Sequence, residues 1–428
     1  KMTVVVFIVS LLAAMALGMP LAFSLLVSGV ALMLHLDNFD TQIVSQNLIN
    51  GADNFPLMAV PFFMLAGELM NAGGMSRRIV NSAMVWVGHF RGGLGYVAVF
   101  AAIVMASLSG SAVADTAALA AVLLPMMRKA GYRMDRSAGL IAAGGIIAPV
   151  IPPSIGFILF GVIGGVSISK LFMAGIFPGI LMGLALIVTW WIVARKDKVV
   201  VAEKVPFKER ISVTINAFWS YLLAITIIGG MKMGIFTPTE AAVVAVVYSL
   251  VVGLFIYREI KVKDLYGIIL AAAKTSSVVM FLVAAALVSA WLITVANIPA
   301  QIVEILRPFI DNKTLLMVML MLLVMIVGTA LDFAPTVLIL TPVLMPLVRE
   351  AGIDPVYFGV LFIINNAIGL LTPPVGTVLN VVCGVGRIPM HDVIRGVMPF
   401  LISQVVVMGS LIAFPSLVMV PLKWLLMR

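Results

Sequence analysis

MASLSGSAVADTAALAAVLLP, residues 105–125, is the stretch on which the fold turns. It lies inside an apolar run from about 93 to 130, long enough to enter a bilayer. Yet it places Ser107, Ser109, Gly110, Ser111, Asp115 and Thr116 where a simple spanning helix would meet hydrocarbon. Polar, irregular backbone survives at that depth only when it is buried in protein or lines an aqueous cavity. The run therefore reads as a re-entrant hairpin, 93–130, with a polar tip. A second run, 314–350, is interrupted in the same way by VGTALDFAPTVLILTP (327–342), which carries Gly328, Thr329, Asp332, Pro335 and Thr336.

Composition agrees with a membrane setting. The chain has 428 residues, 63% hydrophobic and only 11% charged, with mean hydropathy +1.20. Soluble proteins average about 25% charged residues, and 27 basic plus 18 acidic side chains cannot cover a soluble globule of this size. The net charge of +9 does not call for nucleic acid, because cytoplasmic loops of membrane proteins accumulate Lys and Arg. The single cysteine, Cys383, excludes an intrachain disulfide.

Spans are expected at about 2–17, 20–36, 56–73, 137–166, 170–194, 216–234, 238–257, 276–297, 355–386 and 396–425. Amphipathic pieces at 38–52, 75–91 and 260–274 suit the interface. The two halves repeat. LLPMMRKAGY (123–132) answers LMPLVREAGI (344–353), Pro152-Pro153 answers Pro373-Pro374, and Gly175 and Pro178 answer Gly396 and Pro399, always 221 residues apart. The expected organisation is a first repeat (1–194) with hairpin 93–130 and broken helix 137–166. A cytoplasmic linker (195–215) follows, then a second repeat (216–428) with hairpin 314–350 and broken helix 355–386. Five crossings per half turn the second repeat upside down, with the N-terminus outside. The loop 37–55 then faces out with Asp37, Asp40 and Asp53, and the basic loops around 77–91, 128–136, 195–210 and 258–263 face in. Inverted repeats with interrupted helices near the midplane mark secondary transporters.

GGIIAPVIPPSIGF (144–157) and NNAIGLLTPPVGTVLN (365–380) carry the proline pairs. Proline removes a donor and clashes with the preceding turn. Freed carbonyls and half-helix C-termini suit Na⁺ or H⁺, and half-helix N-termini suit anions. The plainer alternative is a kink satisfied by neighbouring helices, with Ser and Thr back-bonded to helix carbonyls. Asp115 and Asp332 stand open between a role on the transport pathway and capping of a hairpin limb. Glu240 reads as part of a capping box in TPTE (237–240), Glu68 as a residue near the interface, and Lys274 as the opening of a span. No GxxxxGK[ST] motif supports a primary pump. His35, His89 and His391 fall at loop edges, which argues against a metal site or an intramembrane hydrolase. A channel fits less well than occluded sites.

At SLSGSAVADTAA (107–118), GGIIAPVIPPS (144–154) and LTPVLMPLVREAGIDP (340–355) the chain resembles the large membrane subunit of tripartite ATP-independent periplasmic (TRAP) transporters. The resemblance implies an all-α polytopic fold of the elevator type, in the bacterial inner membrane, that is not an enzyme. It implies Na⁺-driven uptake of an organic anion brought by a periplasmic substrate-binding protein. A small four-helix membrane subunit, separate or fused, accompanies the large one. Carried over by position, one Na⁺ falls among Ser107, Ser109, Gly145, Val150 and Pro152, and a second among Gly328, Thr329, Gly369 and Thr372. Asp332 and Ser154 fall near the substrate, with Ser111 and Asp115 on the same side. Within the family, sialic acid or a related sugar acid is expected, with a C4-dicarboxylate as the alternative. A one-component anion symporter is the alternative outside it.

Overall fold

The computed structural model describes residues 2–195, 201, 203–373 and 375–427, apart from the side chains of 299, 302, 303, 305–307 and 330. Pro374 of the second proline pair and linker residues 196–200 and 202 lie outside the described residues. Regular structure among the described residues is entirely helical. Among them, six helices are long and apolar enough to cross a membrane: Phe55–Ala72, Ile168–Ala194, Pro238–Ile256, Val262–Val295, Phe333–Glu350 and Met390–Ala413. Phe207–Asn216 and Phe218–Lys232 make a seventh if their 54° bend lies within one span.

Several boundaries differ from the sequence expectation. The piece 260–274, expected along the interface, runs straight into the next span as one helix, Leu265–Val295. Lys274 is therefore exposed within the helix and opens nothing. No glycine or proline interrupts 268–295, so nothing local stops propagation. Residues 207–215, expected as linker, lie in the helix Phe207–Asn216, with Arg210 donating to the Val205 carbonyl at 2.8 Å. The span expected at 396–425 is two helices, Met390–Ala413 and Ser416–Leu426, broken at Phe414-Pro415. At the N-terminus Gly18 adopts a left-handed φ of 80°, and Met2–Ala16 and Leu21–His35 separate there and pack on each other.

The two interrupted runs each form a pair of helices, Gly93–Ser109 with Ala112–Lys129 and Lys313–Ala330 with Phe333–Glu350. The helices broken by proline are Met134–Gly145 with Ile155–Gly164, and Pro355–Leu371 with Thr377–Gly386. These elements recur in order, starting at 93 and 313, 112 and 333, 134 and 355, 155 and 377. Their packing crosses between halves. Ala112–Lys129 lies along Thr377–Gly386, and Phe333–Glu350 lies along Ile155–Gly164. Met134–Gly145 and Met390–Ala413 pass backbone to backbone at Gly139 and Gly396, the close approach that small residues permit between apolar helices.

The deepest core joins the halves. The Phe160 ring packs at a tilt with its centroid 6.1 Å from Phe358 and 5.6 Å from Phe362, and Trp190 lies between Tyr132 and Phe400. Outside this core, Leu265–Val295 packs against Leu21–His35, Thr41–Ala52 and Ala59–Ala72, and Pro238–Val251 packs against Ala59–Ala72. Thr237 and Glu240 form the expected capping box at the start of Pro238–Val251.

Candidate functional site

The first tip is built by three residues. Gly110 takes φ of 63°, a region that costs a side-chain-bearing residue roughly 1–2 kcal/mol. Ser111 follows in extended conformation as the N-cap of Ala112–Lys129 and accepts from the Ala114 amide at 3.4 Å. The Ser109 hydroxyl accepts from the Ser111 amide at 3.1 Å and donates to Asp115 Oδ1 at 2.5 Å. Asp115 is 2% exposed. A methyl group on Gly110 would strike the Pro153 carbonyl, so this tip rests on the proline break of residues 146–154. There Ser154 caps Ile155–Gly164, accepting from the Phe157 amide at 3.1 Å and donating to the Pro149 carbonyl at 2.5 Å.

The second tip is looser. Asp332, the N-cap of Phe333–Glu350, is exposed and accepts from the Phe333 amide at 3.0 Å and from the Thr377 hydroxyl at 3.3 Å. It thus occupies the place of Ser111, 221 residues on. Gly328 and Gly369 approach backbone to backbone. Beside them, Asn366 donates through Nδ2 to the Phe333 carbonyl at 2.9 Å.

Of the other expected residues, Ser107 donates to the Val104 carbonyl at 2.6 Å, Thr329 to Ile326 at 2.7 Å, and Thr372 to Ile368 at 2.8 Å. These back-bonds use the hydroxyl hydrogen and leave the oxygen lone pairs available. The Gly145 carbonyl accepts from the Ala148 amide at 3.2 Å, and the Val150 carbonyl lies against Gly175. Near the tip it is the carbonyl of Pro153, next to Pro152, that meets Gly110.

Six buried side-chain oxygens have no hydrogen-bond partner among the described residues; Asp115 Oδ2, Thr116 Oγ1 and Asn366 Oδ1 belong to the tips and the broken helices, and Asn54 Oδ1, Ser249 Oγ and Gln404 Oε1 lie elsewhere. Unsatisfied buried oxygens are costly, and each calls for an explanation such as a bound ion or water. Thr116 Oγ1 occupies the space a side chain on Gly145 would need, and a methyl on Gly328 would sit 3.1 Å from Asn366 Oδ1. Hydroxyl, carboxamide and carbonyl oxygens are the donors a hard cation takes, so the residues fit Na⁺. Neither Thr116 nor Asn366 was singled out as a ligand from the sequence. The signal was present, because Asn366 stands 221 residues after Gly145, the residue that Thr116 faces.

A cavity of about 390 Å³ opens at the first tip, lined among others by Glu68, Asn71, Ser109, Ser111, Ile155 and Thr275. Glu68, expected only near the interface, thus shares a cavity with the tip. The N-termini of Ala112–Lys129 and Ile155–Gly164 border this space, and helix N-termini favour anions.

Unpartnered buried oxygens beside a cavity bordered by two helix N-termini, in a multi-pass helical membrane protein, suit a transport subunit. Residues 8–417 match the family described as "Tripartite ATP-independent periplasmic transporter, DctM component", and the chain belongs to that family. It is 55% identical to the 2,3-diketo-L-gulonate TRAP transporter large permease protein YiaN of Escherichia coli (strain K12), covering 99% of this chain and 100% of that one. It is 37% identical to the sialic acid TRAP transporter large permease protein SiaM of Vibrio cholerae, covering 93% of each. The solved structure of the YdaH transporter of Alcanivorax borkumensis shares the fold, with TM-score 0.62 at 15% identity over 92% of this chain and 91% of that one. The protein is a large permease subunit for organic acid uptake, not an enzyme.

Proposed function

We propose that this subunit carries a sugar acid across the bacterial inner membrane, driven by Na⁺. The observation that supports it most is the placement of unpartnered buried oxygens, Thr116 Oγ1 and Asn366 Oδ1, at repeat-related points beside the two tips. In this reading one Na⁺ is held near Ser107, Ser109, Thr116 and Gly145. A second is held near Gly328, Thr329, Asn366, Gly369 and Thr372. The anion's carboxylate takes the half-helix N-termini at Ser111 and Ser154, with Asp115 and Asp332 placed to sense loading. Both hairpins are re-entrant, and they move with the broken helices as a transport body against a scaffold built on Leu265–Val295, as an elevator. The N-terminus is periplasmic, and the partners are a periplasmic binding protein and a small four-helix subunit.

Sialic acid was the first substrate expected from the sequence. The higher identity to the diketogulonate permease than to the sialic acid permease, 55% against 37%, moves the choice to a linear sugar acid of the 2,3-diketo-L-gulonate kind. The test is uptake of labelled 2,3-diketo-L-gulonate, sialic acid and a C4-dicarboxylate into proteoliposomes holding this chain and its small subunit, under an inward Na⁺ gradient. Uptake of the first, dependent on Na⁺ and on the binding protein, is expected. Uptake indifferent to Na⁺ removes the ion sites, and uptake without a binding protein makes this a one-component carrier. Ser107→Ala and Thr372→Ala are each expected to raise the Na⁺ concentration for half-maximal uptake.

A further inference from the structure

Two arginines stand at the same place in the two halves and do the same thing across them. Arg128, in the last turn of Ala112–Lys129, donates through a guanidinium N–H to the carbonyl of Gly386 at 2.8 Å. Arg349, in the last turn of Phe333–Glu350, donates to the carbonyl of Gly164 at 2.7 Å. Each acceptor is the last residue of a ten-residue half-helix belonging to the other half. The final carbonyls of a helix lack intrahelical partners and carry partial negative charge, so a guanidinium there makes a strong, charge-assisted bond.

The opposite end of each half-helix meets a tip. Ile155–Gly164 begins at Ser154, against which Gly110 of the first tip rests. Thr377–Gly386 begins at Thr377, whose hydroxyl donates to Asp332 of the second tip. The links therefore close on themselves. The first tip leads to half-helix 155–164, then through Arg349 to the second limb pair, its tip, half-helix 377–386, and through Arg128 back to the first limb pair.

We propose that Arg128 and Arg349 are positioning residues that close this ring of four elements, so that a change at one tip is transmitted to the other. The ring itself stands on the hydrogen bonds. Its use in ion loading rests on the sodium coupling proposed above, and there it makes the two sites fill cooperatively. An ordinary helix cap would act only where it sits. A ring has a different signature, since opening it at one link loosens every element and a second break adds little.

Hydrogen–deuterium exchange on the purified full chain separates the two. In Arg349→Gln the ring requires faster exchange at 109–116 and 377–386 as well as at 155–164, and Arg128→Gln must show the same pattern. Exchange confined to the half-helix next to the substituted arginine overturns the ring. Equilibrium binding of ²²Na⁺ against choline gives the second readout. Each Gln variant should weaken half-saturation at least about fivefold, the lower end of ordinary coupling between sites, and lose cooperativity. The double variant should be no worse than either single one, whereas additive losses would mean independent caps. Arg128→Lys and Arg349→Lys keep a donor and should retain most of the wild-type behaviour. A wild type that binds no Na⁺ above choline refutes the sodium reading alone, and the exchange data then decide the ring.

Discussion

The two tips occupy the same place in a repeated plan and are built to opposite specifications. At 109–116 the chain closes on itself: glycine at the turn, a buried aspartate held by Ser109, and backbone in contact with Pro153. At 328–336 the aspartate has moved out to the cap position, is exposed, and is tied to the broken helix by one hydroxyl. Asp115 is buried with one bonded oxygen, whereas Asp332 is exposed and accepts from two groups. The contrast predicts that the first tip tolerates change less well than the second.

The sharpest way to break this contrast is to add one methyl group to each tip. Gly110→Ala meets both the left-handed backbone and the Pro153 carbonyl, and should abolish uptake per inserted molecule. Gly328→Ala comes within 3.1 Å of Asn366 Oδ1 and only to ordinary contact distance of the Gly369 and Asn366 backbone, and should leave measurable uptake. Equal losses would erase the distinction.

Next come the aspartates. Asp115→Asn replaces the buried carboxyl group that accepts from Ser109 and should reduce uptake more than about tenfold, the effect of roughly 1.4 kcal/mol. Asp332→Asn keeps an equally good N-cap, so thermal stability should be unchanged, and the smaller uptake defect isolates the charge itself. A smaller pair of effects tests the orphan hydroxyl. If Thr116 serves no ion, Thr116→Val replaces an unsatisfied oxygen by an isosteric methyl and should be neutral or stabilising. As a ligand, it should instead raise half-maximal Na⁺, while Thr336→Val, whose hydroxyl already bonds the Asp332 carbonyl, should not. Smallest of all, Thr237→Ala, remote from both tips, should cost about 1 kcal/mol of stability, read as a lower melting temperature in detergent, with no change in Na⁺ dependence.

The features that were legible in the sequence depended on chemistry that hydrocarbon forbids. Clustered serines at 107–111 and paired prolines at 152–153 marked breaks, because hydrocarbon leaves so many polar and freed backbone groups unsatisfied, and the 221-residue spacing marked their partners. The merging of 260–274 into the following span was not legible, because an amphipathic stretch whose side chains stay mostly exposed reads the same whether it lies along an interface or opens a longer helix. Thr116 and Asn366 escaped notice for a related reason. Their significance lies in what faces them, Gly145 and Gly328, and a helical pattern does not say which residues of different elements meet. The two arginines were visible only as matching letters in LLPMMRKAGY and LMPLVREAGI, and the bond each makes to the opposite half is a property of packing.

Leu265–Val295 has one more consequence. Its 31 residues rise about 46 Å, well beyond a hydrocarbon layer of about 30 Å. Beside it pack helices of 15 residues such as Leu21–His35, which rise only about 22 Å. A hydrocarbon layer matched to one length is mismatched to the other, and thinning beside the short helices or tilting of the long one would each relieve this at a fraction of a kcal/mol per Å. Acyl-chain length therefore acts on this protein as a mechanical load. A membrane thinned at the protein's flank also shortens the distance any cargo has to travel between the two aqueous phases.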